Sequence, residues 1–314
     1  MRYPPPLSAA LRYPVTAGLA LLAIAVTAAD KNGVDVSALK LDPRFAHGEP
    51  WRLVTCILPH ADAFHILFNV YWLWVFGTLV EEAFGHLRMA LLVLFLAVVS
   101  SAAEFALFSG GIGLSGVGYG LFGMLWVLSR ARRLDVRFAD AVDQNTVILF
   151  VAWFFICIAG TAAGFMRIGN AAHGAGAVAG ALLGLAVARR GPARAACAAA
   201  CAVLACAALV GATVARPKIN FAGDRGAHEA SLGHRALDAG RHEEAVEWYR
   251  RAVKMNDRNA DWWYGLAFSL YHAGRRQEAL EGFQRAAELA PDNADYRAEY
   301  ERQKASAPSG GQGG

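Results

Sequence analysis

The chain has 314 residues, of which 56% are hydrophobic and 18% are charged, and its net charge is only +4. This composition excludes a disordered, collagen-like or disulfide-stapled chain, and the small charge gives no support to nucleic-acid binding. Residues 1–215 contain 26 of the 56 Asp, Glu, Lys and Arg residues, and residues 216–314 contain the other 30. We therefore predict a membrane part followed by a water-soluble part.

Seven uncharged stretches in the first part have about the length that a helix needs to cross a bilayer, and charged residues bound them. They cover residues 13–29, 63–80, 89–103, 105–129, 144–166, 168–188 and 195–215. The first stretch follows two arginines, as a signal peptide would, but the Ala-Ala-Asp at its end is a poor cleavage site. We interpret it as a membrane span.

Arginines predict the orientation of these spans, because basic residues collect at cytoplasmic ends. They lie before the first span, between the fourth and fifth, and between the sixth and seventh: Arg2, Arg12, Arg130, Arg132, Arg133, Arg137, Arg189, Arg190 and Arg194. With seven spans, all of them fall on one side only if the N-terminus is cytoplasmic. The loop of residues 30–62 and the tail after Ala215 are then expected outside the cytoplasm.

The cysteines indicate no chemistry of their own. They lie in or beside apolar runs, without the CxxC spacing or neighbouring histidines of a metal or redox site: Cys56, Cys157, Cys197, Cys201 and Cys206. We interpret them as small hydrophobic residues. Neither a metal nor an organic cofactor is predicted.

Polar side chains inside three of the spans are candidates for function, because each costs about 2.5 kcal/mol or more in hydrocarbon. His65 and Asn69 are four residues apart and therefore share one face of the second span. Ser115 stands where the glycine-rich segment 113–116 enters the fourth span, and His173 lies in the sixth.

Glycine spacing indicates that the fourth and sixth spans pack together, because GxxxG steps let helix backbones approach closely. The spacing occurs once in the fourth span and twice in the sixth, at Gly116, Gly120, Gly176, Gly180 and Gly184. Packing of these glycines would bring the Ser115 hydroxyl towards the His173 imidazole. A histidine within hydrogen-bond reach is what activates a serine nucleophile.

A carboxylate partner for the histidine is not predicted. Glu104 is the only acidic residue near the serine in sequence and is expected at the far end of a loop, so we predict a Ser–His dyad and not a triad. The side chains of His65 and Asn69 and the backbone N–H of Ser115 are the candidate donors to an oxyanion.

Together these residues resemble the rhomboid family of intramembrane serine proteases over about residues 51–190. The matching segments are Trp51-Arg52, His60, His65-Ile66-Leu67-Phe68-Asn69, Glu81-Glu82-Ala83-Phe84-Gly85, Gly113-Leu114-Ser115-Gly116, Tyr119, Ala172-His173, Gly176 and Gly180. Each segment alone is weak, but their order and spacing are those of the family. Cys56 is a departure, because many bacterial relatives have a histidine there; it concerns the packing of the loop and not the dyad.

The resemblance implies an all-α membrane bundle, with a six-span catalytic core over residues 1–191 and a seventh span over residues 192–216. It assigns roles to matching residues: nucleophile Ser115, general base His173, oxyanion donors His65 and Asn69, a ring stacked on the histidine from Tyr119, and supporting positions His60, Gly113 and Gly116. It also implies a multi-pass protein of the bacterial cytoplasmic membrane, which cleaves membrane-spanning proteins near the outer end of their helices.

Two other classes of protein are alternatives. A rhomboid without protease activity would use the same fold to bind and route membrane clients. A transporter would show inverted repeats and ionisable residues spread over several helices, and the sequence has neither. A single Ser, His or Gly in a membrane helix is commonly a packing element, so the prediction of a protease depends on their joint occurrence.

The soluble tail repeats with a period of 34 residues. Leu232, Gly233, Gly240, Ala245, Tyr249 and Ala252 recur as Leu266, Ala267, Gly274, Ala279, Phe283 and Ala286. This pattern resembles the tetratricopeptide repeat, and we assign it to residues 217–305, as two copies and the start of a third. Such repeats imply a protein partner or self-association. Residues 306–314, rich in Gly and Ser, are predicted to be disordered.

Overall fold

A computed structural model describes residues 4–131, 138–139, 141–166, 168–221 and 226–306. These residues form helices and loops and contain no strand, which confirms the predicted all-α fold. The chain divides into two compact units, Met1–Ile219 and Asn220–Gly314. Four of the predicted cytoplasmic arginines and all but the first residue of the predicted disordered tail lie outside the described residues: Arg2, Arg132, Arg133, Arg137 and residues 307–314.

The described part of the first unit contains nine α-helices. They are α1 (Pro14–Lys31), α2 (Arg52–Thr55), α3 (Ala63–Phe84), α4 (His86–Leu107), α5 (Ser115–Arg130), α6 (Gln144–Ala162), α7 (Asn170–Ala188), α8 (Gly191–Ala212) and α9 (Arg216–Ile219). Within the described residues, six helices are long and apolar enough to cross a membrane, namely α1, α3, α4, α6, α7 and α8. The apolar helix α5 is shorter, with 16 residues. This is the architecture of a multi-pass membrane protein.

The predicted boundary between the third and fourth spans is wrong. The charge of Glu104 suggested a break there, but α4 continues through this residue to Leu107. The helix ends before a loop in which Gly110 and Gly113 have φ angles of 98° and 102°, a conformation that residues with a side chain rarely adopt. The next helix therefore begins at Ser115, well inside the predicted fourth span.

Helices α5 and α7 form the most extensive helix pair of the first unit. Methyl groups on the glycines of α7 would collide with backbone oxygens of α5: Gly176 with Gly116, Gly180 with Gly120, and Gly184 with Met124. The two backbones are therefore in direct contact along one face, as GxxxG spacing allows. Helix α4 packs on both of them, and α8 packs on α4 and α7.

A buried carboxylate joins α3 to the start of α1. Glu81 is 1% exposed, and it accepts hydrogen bonds from the N–H groups of Val15 (2.9 Å) and Thr16 (2.8 Å) and from the Thr16 hydroxyl (2.6 Å). First-turn N–H groups have no partner within their own helix. Glu81 therefore caps α1, where the helix dipole also favours a negative charge.

The loop between α1 and α3 is organised by Arg52, whose side chain is 1% exposed. The guanidinium donates to the carbonyl oxygens of Ser37 (2.7 Å) and Lys40 (2.6 Å) and pairs with the carboxylate of Glu49 (2.5 Å). A buried charge is tolerated only when it is paired and hydrogen-bonded. Arg52 therefore holds separate parts of this loop together.

A second arginine joins the segment after α8 to the end of α4. Arg216 is buried and donates to the carbonyl oxygens of Phe105 (2.8 Å) and Phe108 (3.2 Å), and its guanidinium lies 4.0 Å from the centre of the Phe105 ring. The last carbonyl groups of a helix have no partner within that helix. Arg216 thus caps α4 just before the loop that leads to Ser115.

The second unit is a series of antiparallel helices in its described part. They are α10 (Ala227–Asp238), α11 (His242–Met255), α12 (Ala260–His272), α13 (Arg276–Leu289) and α14 (Ala294–Ser306). The ring of Tyr249 leaves no room for a methyl group at Gly233 or Gly265. Among the residues that recur in the sequence, the small ones therefore permit successive helices to pack closely, and the aromatic ones fill the space between these helices.

Candidate active site

Ser115 is the first residue of α5, at the end of the loop that follows α4. Two backbone N–H groups hold this loop. That of Gly113 donates to the carbonyl oxygen of Cys56 (3.0 Å), and that of Leu114 donates to Nε2 of His60 (3.1 Å). The backbone immediately before the serine is therefore fixed.

His60 holds the loop only in its neutral form. Its Nδ1 lies 2.9 Å from the carbonyl oxygen of Leu58, which can only accept, so Nδ1 carries the hydrogen and Nε2 is the acceptor for Leu114. Burial, together with the nearby His65 ring, lowers the pKa of His60 to about 4. The imidazole therefore stays neutral at neutral pH.

His173 lies in the first turn of α7 and is hydrogen-bonded to the serine. Its Nε2 is 2.8 Å from Oγ of Ser115, a normal hydrogen-bond distance. The ring of Tyr119 stacks on the imidazole, with centres 4.5 Å apart and planes at 21°, and its hydroxyl donates to the Phe150 carbonyl oxygen (3.0 Å). Serine, histidine and tyrosine therefore lie together between α5 and α7.

His65 and Asn69 approach the same region from α3. A methyl group on Gly113 would lie 3.0 Å from Nε2 of His65, so this nitrogen lies beside the serine loop. Nδ1 of His65 accepts the N–H of Ala61 (3.3 Å), which leaves Nε2 as the nitrogen that carries hydrogen. Asn69 is buried one turn further on, and its amide donates to the His65 carbonyl oxygen (2.8 Å).

Glu104 is a residue of this region whose position the sequence prediction missed. It was expected at the far end of a loop, but it lies inside α4, and its carboxylate accepts the N–H of Ala172 (3.0 Å). The expectation is wrong because α4 continues past Glu104 and packs against α7. A charged residue in an apolar stretch needs a partner within the bundle, and that rule was the signal for its location.

One cysteine contacts the serine loop through its backbone carbonyl oxygen. Cys56 is buried, and its thiol donates to the hydroxyl of Ser101 on α4 (3.1 Å). Burial raises the pKa of the Cys56 thiol to about 11, so no thiolate forms at neutral pH. The described residues also contain no group of three or more His, Cys, Asp or Glu side chains that could hold a metal ion.

A serine and a histidine hydrogen-bonded between closely packed apolar helices define a class: a multi-pass helical membrane protein with a hydrolase-like pair in its interior. Comparison with known families identifies both parts of the chain. Residues 47–190 match the rhomboid domain, and residues 231–294 match the tetratricopeptide repeat. Residues 47–190 are therefore similar to a rhomboid domain and residues 231–294 to tetratricopeptide repeats, which confirms both resemblances predicted from the sequence.

Individual proteins are similar to the chain over part of its length. The rhomboid protease GlpG of Haemophilus influenzae is 29% identical over 143 residues, which cover 43% of this chain and 69% of that protein. The proteins of the same name from Yersinia pestis and Yersinia pseudotuberculosis are 32% identical over 136 residues. These residues cover 42% of this chain and 46% of each Yersinia protein.

Proposed function

We propose that this protein is an intramembrane serine endopeptidase that cleaves membrane-spanning segments of other proteins. The proposal is carried by the hydrogen bond of 2.8 Å between Nε2 of His173 and Oγ of Ser115. A serine hydroxyl is a weak nucleophile until a base takes its proton, and a histidine at this distance is that base. The rhomboid domain and the similar rhomboid proteases support the same activity.

In the first half of the reaction, Oγ of Ser115 attacks the scissile carbonyl carbon while Nε2 of His173 accepts the hydroxyl proton. The carbonyl oxygen becomes an oxyanion, for which the Ser115 N–H and the side chains of His65 and Asn69 are the donors. The imidazolium then gives its proton to the departing amine. The C–N bond breaks, and an acyl ester remains on Ser115.

In the second half, water attacks the ester and His173 accepts its proton. The tetrahedral intermediate collapses, the carboxyl product leaves, and the proton returns to Oγ of Ser115. Two positions in the fold suit this chemistry. Tyr119 supports the imidazole from one side, and the loop fixed by His60 holds the serine backbone through both halves.

We infer the place of cleavage from the position of Ser115 at the start of α5. Successive membrane helices alternate in direction, so the start of α5 lies at one face of the bundle, together with the loop between α1 and α3. A substrate helix would be cleaved near that face. Its backbone must unwind there first, because the carbonyl and N–H groups of an intact helix are hydrogen-bonded.

We assign the opposite face to the cytoplasm and the protein to the bacterial cytoplasmic membrane. The described arginines of the predicted cytoplasmic set lie at the ends of the helices on that opposite face: Arg12, Arg130, Arg189, Arg190 and Arg194. Such residues collect on the cytoplasmic side. We further propose that the core (1–191) and seventh span (192–216) act on substrates, and that the repeats (217–305) bind a protein partner or a second copy.

Labelling with a fluorophosphonate tests the activity, because the reagent reacts with an activated serine. The detergent-solubilised protein should be labelled and should cleave a model transmembrane substrate, whereas Ser115→Ala and His173→Ala should lose both reactions. Ser129→Ala is the matched control, since Ser129 lies on the same helix and its hydroxyl donates to the Trp126 carbonyl oxygen. A folded protein that is neither labelled nor active would instead be a rhomboid that binds clients without cutting them.

A further inference from the structure

Glu104 is a buried carboxylate that the proposed mechanism does not use. It is 3% exposed, and it accepts hydrogen bonds from the backbone N–H groups of Ala172 (3.0 Å) and Ala171. A methyl group on Gly169 would lie 3.3 Å from its carboxyl carbon, and one on Gly111 would lie 3.5 Å from its Cγ. The carboxylate is therefore enclosed between the serine loop and the start of α7.

The two N–H groups belong to the first turn of α7, where no carbonyl of the same helix can accept them. The N-cap residue of α7 is Gly169, which has no side chain to do so. Glu104 supplies the cap from α4, and its carboxyl group lies at the positive end of the α7 dipole. The residue that follows this capped pair is His173.

The position of His173 depends on this turn. Its own N–H donates to the carbonyl oxygen of Gly169 (3.1 Å), and its buried Nδ1 has no hydrogen-bond partner among the described residues. In a Ser-His-Asp triad, a carboxylate orients the imidazole through that nitrogen. Here the ring is held by Ser115, by the Tyr119 stack and by the backbone of α7, so the geometry of the first turn of α7 sets its orientation.

We propose that Glu104 is a positioning residue for the Ser–His pair, which acts by capping α7 and so keeps His173 in hydrogen-bonding distance of Ser115. This inference rests on the proposed protease activity. Glu104 reaches the imidazole only through the backbone. Loss of the cap would displace Nε2 from the serine and slow acylation, whereas the residues that contact the substrate would keep their places.

Two glutamate variants separate positioning from general stability. Glu104→Gln replaces one of the two carboxyl oxygens by an amide nitrogen, which cannot accept a hydrogen bond from the backbone. Glu81→Gln is the matched control, because Glu81 caps α1 by the same kind of contact at the opposite face of the bundle. The rate of fluorophosphonate labelling, kcat and KM for a model transmembrane peptide, and the melting temperature in detergent are measured for each.

For Glu104→Gln we expect labelling and kcat to fall about tenfold, because small displacements of reacting groups are costly. Its KM should stay within about twofold, as expected when a group acts only on the chemical step. For Glu81→Gln the melting temperature should fall, but labelling and kcat well below that temperature should stay within about twofold. Wild-type labelling of Glu104→Gln, or an equal loss in Glu81→Gln, would show that Glu104 only stabilises the fold.

A milder pair of variants decides the matter if Glu104→Gln does not fold. Gly169→Ala, at the N-cap of α7, places a methyl group 3.3 Å from the carboxyl carbon of Glu104 and must shift the carboxyl group. Gly174→Ala, within α7, places its methyl group 3.7 Å from the nearest atom, in the ring of Phe154. Labelling of Gly169→Ala should be about threefold slower than that of Gly174→Ala. Equal rates would overturn the proposal. An unlabelled wild-type protein would instead refute the protease activity itself.

Discussion

The polar side chains around Ser115 are each fixed by a neighbour inside the bundle. His60 accepts from the serine loop, the Tyr119 hydroxyl donates to Phe150, and the Asn69 amide donates to His65. Groups that are already oriented need no reorganisation when charge develops in the transition state. The site is therefore preorganised, and the effect of each residue can be tested by removing it alone.

Asn69→Ala should slow cleavage by about 10²-fold, because it removes one oxyanion donor and leaves the dyad in place. The loss should appear in kcat for a model transmembrane substrate and should be smaller than that of Ser115→Ala. Thr78→Ala is the control, since Thr78 makes the same kind of bond to its own helix (2.7 Å to the Trp74 carbonyl oxygen) away from the site. Equal kcat values for both variants would remove Asn69 from the oxyanion site.

The stability of the protein should fall in mild acid because of His60. Its pKa is about 4 in the folded protein and 6.5 for an ordinary histidine, so below pH 6.5 the unfolded chain binds a proton that the folded chain does not. Proton binding to the unfolded chain therefore does not reduce the free energy of unfolding above pH 6.5, and it reduces this free energy progressively as the pH falls from 6.5 towards 4. Melting temperatures between pH 7.5 and about 5 measure the loss.

His60→Gln supplies the comparison, because its amide can still accept from Leu114 but does not titrate. Its melting temperature should be lower at neutral pH and should depend less on pH than that of the wild type. His65, whose ring centre is 4.8 Å from that of His60, is present in both proteins. The difference between their pH dependences therefore reports on His60. An identical pH dependence in the two proteins would contradict the role given to His60.

At the level of helices, the contact between α5 and α7 sets the distance between serine and histidine. Gly180→Ala would force a methyl group against the Gly120 carbonyl oxygen, so the two helices must separate. We expect the melting temperature to fall and fluorophosphonate labelling to slow at least about tenfold. Gly118→Ala is the control, since nothing lies within 4 Å of the added methyl group. Equal labelling of both would disprove this dependence.

The sequence predicts the helices well, because a run of apolar residues long enough for the bilayer has few other structures. It predicts their ends less well. The charge of Glu104 suggested a break, but the carboxylate is paired with backbone N–H groups of α7, and a pairing between distant residues is invisible to hydropathy. The sequence does not predict the roles of Arg52 and Arg216 for the same reason, because both side chains bind carbonyl groups that only the fold brings close to them.

Glycine spacing and the family resemblance both predict that Ser115 pairs with His173. The spacing states which faces of two helices meet, and that is enough to place two side chains near each other. It does not state how the imidazole is oriented. That depends on Tyr119, on Glu104 and on the first turn of α7, which act together only in the folded bundle.

For the molecule as a whole, the proposed catalytic groups all lie in the first unit, so the repeats should affect which clients arrive and not the chemistry. Removal of residues 220–314 should leave cleavage of a short, detergent-solubilised substrate within about threefold of the full chain. Processing of natural clients in membranes should fall more, because a tethered binding module raises their local concentration. Complete loss on the short substrate in a folded protein would make the repeats part of the catalytic unit.

Membrane topology gives a second test of the whole chain. If seven helices cross the membrane and the arginines face the cytoplasm, a reporter fused after Gly314 lies outside the cytoplasm. A reporter that works only in the cytoplasm should then be silent at Gly314 and active when fused after Ala131, just past the end of α5. A strong cytoplasmic signal at Gly314 would mean that α8 does not cross and that the repeats are internal.

The cap that Arg216 places on α4 has a consequence for biosynthesis. Arg216 is translated after α8, and its partners Phe105 and Phe108 precede the serine loop. While Arg216 has not yet been translated, the nascent chain already contains Ser115 and His173. It still lacks the two hydrogen bonds from Arg216 that cap the end of α4. The segment next to the nucleophile is therefore completed only when the last membrane helix has been inserted, so that maturation of the site follows the end of membrane integration.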